Sequence, residues 1–151
     1  MHDLHHCLFC GSQFIDPKYH VSTDRSDYPY KCLRRGGVNI ARETLEDFED
    51  AGFTDSEMLM VSMILRNEWE FTNKKRDPLT IAELRRMIDQ FRPLDTLDKM
   101  DDALTKIERP IRFAGEQVTI NADLDYPYYY CAEVRELENI LSFLQREGLI
   151  S

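Results

Sequence analysis

Two short cysteine turns constrain this chain more than any other feature. Cys7-Leu8-Phe9-Cys10-Gly11 and Cys32-Leu33-Arg34-Arg35-Gly36 share one spacing, with Arg35 standing where the first copy has Cys10. Two such turns facing each other would build the tetrahedral thiolate cage of a zinc ribbon. Arg35 excludes a four-thiolate cage, because a guanidinium keeps its protons and offers no lone pair. Cys7, Cys10 and Cys32 remain as soft ligands, and zinc accepts imidazole as a fourth. His20, in the intervening segment, is placed first for that role, then His6, then water. The alternative is a degenerate ribbon kept for its shape, in which thiols and aromatics pack without metal. Arg35 is expected to stack on a tyrosine or pair with a carboxylate instead of coordinating.

With 151 residues the chain is one ordinary domain or two small ones. An apolar share of 42% against 31% charged residues separates it from disordered sequences. No apolar run, Met58–Val61 included, approaches the length that spans a bilayer, and no signal-peptide pattern opens the sequence. Four cysteines, two of them in one C-x-x-C, suit a cytoplasmic chain with metal-binding or structural thiols better than a disulfide scaffold. The net charge of −9 is uneven: residues 41–70 hold two basic and nine acidic side chains, residues 71–92 six and three. A phosphate-tracking surface needs dense Lys and Arg, so only Arg34-Arg35, Lys74-Lys75-Arg76 and Arg85-Arg86 offer a local basic patch.

Strand and turn character fills residues 1–40, with Tyr19–Ser22, Tyr28–Cys32 and Val38–Ile40 as the extended pieces. An acidic helix over 41–52 turns Leu45 and Phe48 inward and stops at Gly52. Thr54-Asp-Ser-Glu57 is a capping box, and the helix after it, to about Phe71, is apolar on more than one face. Met58, Met60 and Met63 on that helix read as core rather than as an adaptable binding surface. Thr80-Ile-Ala-Glu83 is a second box, opening a helix over 80–91. Asp95 or Thr96 caps another over 95–107. A hairpin is expected over 111–120, an aromatic loop over 123–130 and an amphipathic helix over 133–147. Leu149-Ile150 then reads as the start of a strand, either pairing within this domain or leading into sequence beyond it. The predicted class is α+β: a degenerate zinc-ribbon-like β unit (1–40), connecting acidic and buried helices (41–72) and a winged-helix-like unit (79–151).

Three pieces carry a resemblance: the cysteine turns with Tyr30, Val38 and Ile40; Asp125-Tyr-Pro-Tyr128 with Tyr130-Cys131-Ala132; and Glu136-Leu137 leading to Leu144 and Gly148-Leu-Ile150. Together they make the chain similar to an uncharacterised bacterial N-terminal domain found in some defence-associated effector proteins. That family resembles a zinc ribbon joined to a winged-helix-like unit, often followed by an effector domain. The resemblance covers nearly the whole chain and implies little about chemistry. The family-like second turn would carry Cys at position 35.

Other candidates have plainer readings beside them. Cys131 precedes a helix, where a thiolate would be favoured, but without a histidine partner it reads as a small core residue. Tyr126, Tyr128 and Tyr129 could stack on a nucleotide-like ligand, yet mostly read as closing a core. The helix pair 80–91 and 95–107 invites a helix-turn-helix reading with Arg85, Arg86 and Arg92 on phosphates. Asp95, Asp98, Asp101 and Asp102 on the second helix oppose it. The favoured function is therefore a non-enzymatic regulatory or interaction module that binds a protein partner or a second copy. A DNA-binding winged-helix regulator and a small metal-dependent enzyme are the alternatives.

Overall fold

The second cysteine turn is the loop of a hairpin. Strands β1 (Asp27–Cys32) and β2 (Gly36–Ala41) pair antiparallel, with Cys32 opposite Gly36 and Asp27 opposite Ala41. The structure is a computed structural model describing residues 6–11, 27–32, 34–72, 77–111 and 116–151. The expected Tyr19–Ser22 strand lies outside these residues, whereas Tyr28–Cys32 and Val38–Ile40 fall within β1 and β2. Ile40 adds a parallel bridge to Leu79: Ala41 N donates to Leu79 O at 3.1 Å and Leu79 N donates to Asn39 O at 2.8 Å. Thr44, fully buried, donates to the same Leu79 carbonyl at 2.7 Å, so the segment before the third helix is tied to the hairpin through its backbone.

The helices begin and end where local chemistry directs. Helix α1 (Arg42–Ala51) closes on Gly52 in the left-handed region. Helix α2 (Asp55–Thr72) opens on the reciprocal capping box, with Thr54 N donating to Glu57 Oε1 at 3.0 Å and Glu57 N to Thr54 Oγ1 at 3.1 Å. Those bonds to the ionised form hold the Glu57 carboxyl below its ordinary range. Helix α3 (Ile81–Gln90) is capped by Thr80 Oγ1 accepting from Glu83 N at 3.1 Å, while the Glu83 carboxylate pairs with Arg86. Val38, Ile40, Val61, Leu65, Leu79, Leu84 and Met87 bury together with Phe9 as the first core. Met63 is buried and Met58 packs against that core, which leaves neither on a binding surface.

A second core forms within residues 92–151, a separate compact unit from residues 1–91. Helices α4 (Thr96–Glu108), α5 (Ala122–Asp125) and α6 (Val134–Arg146) surround Ala103, Ile107, Tyr129, Cys131, Leu137, Ile140 and Leu144. Asp95 caps α4, accepting from Asp98 N at 2.8 Å. The α+β class stands, but the boundaries differ from the expected 1–40, 41–72 and 79–151. Helix α3 packs against α1 and α2, so the expected helix pair is divided between the two units. The apolar side of α3, Leu84 and Met87, completes the first core, and spacing alone could not assign it.

The two extended segments expected late in the chain take other forms. Residues 116–120 carry no strand, and 112–115 lie outside the described residues. Leu149 and Ile150 cap α6 instead of starting a strand. Gly148 N donates to Gln145 O and Leu149 N to Leu144 O, both at 3.0 Å, and Gly148 adopts φ +70°. This pairing satisfies carbonyls that a helix end otherwise leaves free.

The hairpin loop is pressed onto α2. Trp69 of α2 lies against Gly36 and Gly37, and a Cβ on Gly36 would fall 2.7 Å from Trp69 Cβ as well as overlapping the indole. Gly36 also sits at φ +77°, a conformation that costs other residues. Gly36→Ala is expected to destabilise the first unit by roughly 2–4 kcal/mol through overpacking and backbone strain. Chemical denaturation should show that loss, with a smaller effect for Ala at Gly52, where an added Cβ would meet nothing within 4 Å.

Candidate metal centre

Cys7, Cys10 and Cys32 converge. Their sulfurs all lie within 4.8 Å of one another, with Cys10 Sγ 3.6 Å from Cys32 Sγ. Two turns put them there. In the first, Gly11 N donates to Cys7 O at 2.8 Å and Gly11 takes φ +68°. In the second, Arg35 N donates to Cys32 O at 3.3 Å, leading into the left-handed Gly36. Each of the two sequence turns thus leads into a glycine at positive φ. Cys32 is positioned by β1, and the first turn is anchored by Phe9, which meets Phe48 of α1 edge-on at 6.0 Å. Cys7 and Cys32 are buried and Cys10 is half-buried, so the cluster sits under the surface with one sulfur near solvent.

Burial, followed by hydrogen bonding with Cys10 and Cys32, pushes the Cys7 thiol well up from its usual range, and the positive charge of Arg35 pulls it the other way. The thiolate is the metal ligand, so a cation bound here would displace thiol protons. Three sulfurs at this separation on two such turns fit a thiophilic ion such as zinc, which takes four donors and binds thiolate and imidazole. Of the expected fourth ligands, His20 lies outside the described residues. His6 is exposed and is not among the side chains that converge.

Arg35, expected at a ligand or partner surface, is instead 3% exposed. Its Nη2 donates to Ser62 Oγ on α2, and its Cζ lies 5.8 Å from the centre of the Phe9 ring. Nε and Nη1 have no hydrogen-bond partner among the described residues. The expected stacking therefore falls on Phe9 rather than on a tyrosine, and no carboxylate among the described residues pairs with the guanidinium. The cause is α2, which brings Ser62 under the turn and closes solvent off.

The remaining candidates are dispersed. Arg85 donates to the Ala51 carbonyl at 2.7 Å and lies 4.9 Å from the Phe53 ring centre; Arg86 pairs with Glu83 and Gln90. Both are exposed but locally engaged. Tyr129, expected on a partner surface, is 3% exposed because it forms part of the second core. Tyr126 and Tyr128 are half-buried against the same core. Spacing does not reveal what organises this loop. Lys106 Nζ lies 4.4 Å from the ring centres of both Tyr128 and Tyr130, donates to the Tyr128 carbonyl and pairs with Asp102 at 2.7 Å. Burial lowers the Lys106 ammonium from its usual range, and Asp102 opposes that shift. The Asp102–Lys106 spacing of four residues is the only sequence trace of it.

Cys131 is fully buried, and its thiol lies 3.5 Å from the Tyr129 carbonyl, which accepts from it. Burial pushes its pKa up to about 12. It precedes α6 by three residues, so the helix start does not favour its thiolate. Comparison with known proteins returns no match: no protein family, curated protein or solved structure is significantly similar to this chain. No helix among the described residues is long and apolar enough to cross a membrane.

The raised Cys131 pKa sets a test. At pH 8 the native thiolate fraction falls on the order of a thousandfold below that of an ordinary thiol of pKa about 8.5. Alkylation of Cys131 by iodoacetamide in the folded chain should be slower by that factor and accelerate as pH rises toward 12. Mass-spectrometric mapping checks it, and labelling at the rate of an exposed thiol contradicts it.

Proposed function

We propose that this chain is a non-enzymatic interaction module whose first unit is a zinc-ribbon-like element pinned by one zinc ion on Cys7, Cys10 and Cys32. The observation that carries the reading is the convergence of these three sulfurs within 4.8 Å, on two turns that each lead into a glycine at positive φ. His20 is the proposed fourth ligand. Zinc here is structural: it joins the segment around Cys7 to the hairpin at Cys32, a contact between positions 25 residues apart. All four cysteines are thiols outside any disulfide, which suits a reducing, cytoplasmic setting.

The module binds a protein partner or a second copy of itself and so controls or accompanies an effector, as the resemblance to defence-associated N-terminal domains implies. The acidic balance of the chain supports a protein partner over a polyanion. The local pairing of Arg86 with Glu83 and of Arg85 with the Ala51 carbonyl adds to that, since both would otherwise be the main phosphate contacts of a DNA-binding regulator. A thiol-based enzyme has little support, given the burial of Cys131.

Elemental analysis of the purified chain is expected to give about one zinc per molecule, falling to a small fraction in Cys32→Ser. Free zinc at about 100 times Kd should stabilise the fold by ~2.7 kcal/mol, and a chelator should remove that increment in a thermal melt. Binding should weaken as pH falls, because protons compete for the thiolates. A chain purified without metal and indifferent to added zinc defeats the proposal. Salt-sensitive binding of duplex DNA at low ionic strength would replace it with the DNA-binding reading.

A further inference from the structure

The first unit buries a charge that the side chains described around it do not balance. Arg35 is 3% exposed, and among the described residues its guanidinium meets one neutral hydroxyl, Ser62 Oγ, and the face of Phe9. Nε and Nη1 have no partner among the described residues. Neither of these contacts carries a charge, and a buried cation without an opposite charge is strongly unfavourable.

We propose that Arg35 is the built-in counter-charge of a three-thiolate metal site. This rests on the zinc reading above and deepens it. A divalent ion on three thiolates carries one net negative charge, and the guanidinium supplies one positive charge. Four thiolates would have carried two negative charges. The replacement of the fourth cysteine by arginine thus keeps the site near neutrality within the protein, instead of marking its decay.

The placement of Arg35 fits this role. Its backbone belongs to the turn that presents Cys32, with Arg35 N donating to Cys32 O at 3.3 Å. Its guanidinium lies against Phe9, in the middle of the turn that presents Cys7 and Cys10. It is therefore bracketed by both ligand-bearing turns. Ser62 anchors it and does not depend on it, because Ser62 Oγ donates to the Met58 carbonyl at 2.6 Å. The N–H groups on Nε and Nη1 are then left for the thiolate sulfurs, which become good acceptors only once ionised. Arg35 is a positioning residue in this scheme: it touches no metal and tunes the ligands that do.

The test uses the full chain, zinc and cobalt(II). Zinc affinity is measured by competition with a chromophoric chelator for wild type, Arg35→Met and Arg35→Lys, and melting after metal removal is measured for each. Arg35→Met is expected to bind zinc about tenfold or more weakly, the usual size of a lost outer contact. Its metal-free melting temperature should equal or exceed that of wild type, since an unbalanced buried cation has been removed. Arg35→Lys keeps the cation and should bind closer to wild type. Cobalt-loaded wild type should show the charge-transfer intensity of three thiolates, and Arg35→Cys that of four.

Equal zinc affinity in Arg35→Met, or a lower metal-free melting temperature, overturns the inference and makes Arg35 a packing residue only. If Arg35→Met is insoluble, Arg35→Lys decides: near-wild-type affinity supports the counter-charge, and a tenfold loss overturns it. A wild-type chain that takes up neither metal removes the zinc reading itself. Wild type that binds while Arg35→Met binds equally removes this inference alone.

Discussion

The docking of one four-residue turn on one helix holds the first unit together. Residues Arg34 to Gly37 lie on α2 through three different kinds of contact. Arg66 Nη1 donates to the Arg34 carbonyl at 3.0 Å, with Glu70 holding Arg66 Nε at 2.8 Å. Arg35 reaches Ser62. Trp69 covers Gly36 and Gly37. Each contact comes from the same stretch of α2, and each requires its partner in the turn: a carbonyl, a guanidinium, a bare backbone. Move the turn and β2 moves with it, and with β2 go Val38, Ile40 and the bridge to Leu79 that brings in α3. Cys32 is fixed by the same docking, so the position of the thiol cluster is a by-product of how the hairpin sits.

Each compact unit takes a cation out of water, and Arg35 and Lys106 are treated differently. Lys106, half-buried, has an opposite charge in Asp102, a carbonyl in Tyr128 and two tyrosine faces, which oppose its desolvation. That arrangement reads as structural. Among the described residues Arg35 has a hydroxyl and one phenylalanine face. In the proposed zinc site the ionised cysteines would supply the opposite charge. Lys106 thus has its counter-charge within the fold, whereas that of Arg35 is proposed to come with the metal.

The tyrosine loop illustrates why a binding surface is hard to read from composition. The stretch from Tyr126 to Tyr130 looks ready to stack on a ring. In the fold, Tyr129 and Pro127 go into the core and Lys106 occupies the faces of Tyr128 and Tyr130. Tyr130 carries its own strain, with φ +56°, and Tyr130 N donates to Pro127 O to close the turn. Aromatic faces are satisfied by whatever cation lies closest, and here the chain supplies it.

Much of the local structure was legible from neighbouring residues alone. Thr54 with Glu57, Thr80 with Glu83, Asp95, Gly52 and Gly148 set helix ends because capping acts over three or four residues. The cysteine spacing likewise announced two turns and three candidate ligands. Other outcomes depended on the tertiary structure. Helix α3 joined the first core and not the unit after it, because which core an apolar stripe completes is a property of the partner surface. Leu149 and Ile150 closed α6 by backbone bonds, since a Gly-Leu-Ile stretch permits either a cap or a strand. Lys106 met the Tyr128 carbonyl across 22 positions of sequence. Arg35, placed by spacing where a ligand should be, was buried by α2, a helix separated from it by an entire other helix. Sequence alone showed an arginine where the first turn has its second cysteine. Only the packing of Ser62 and Phe9 around it determined that this arginine is enclosed, with no carboxylate partner among the described residues, because desolvation is set by what surrounds a group in space.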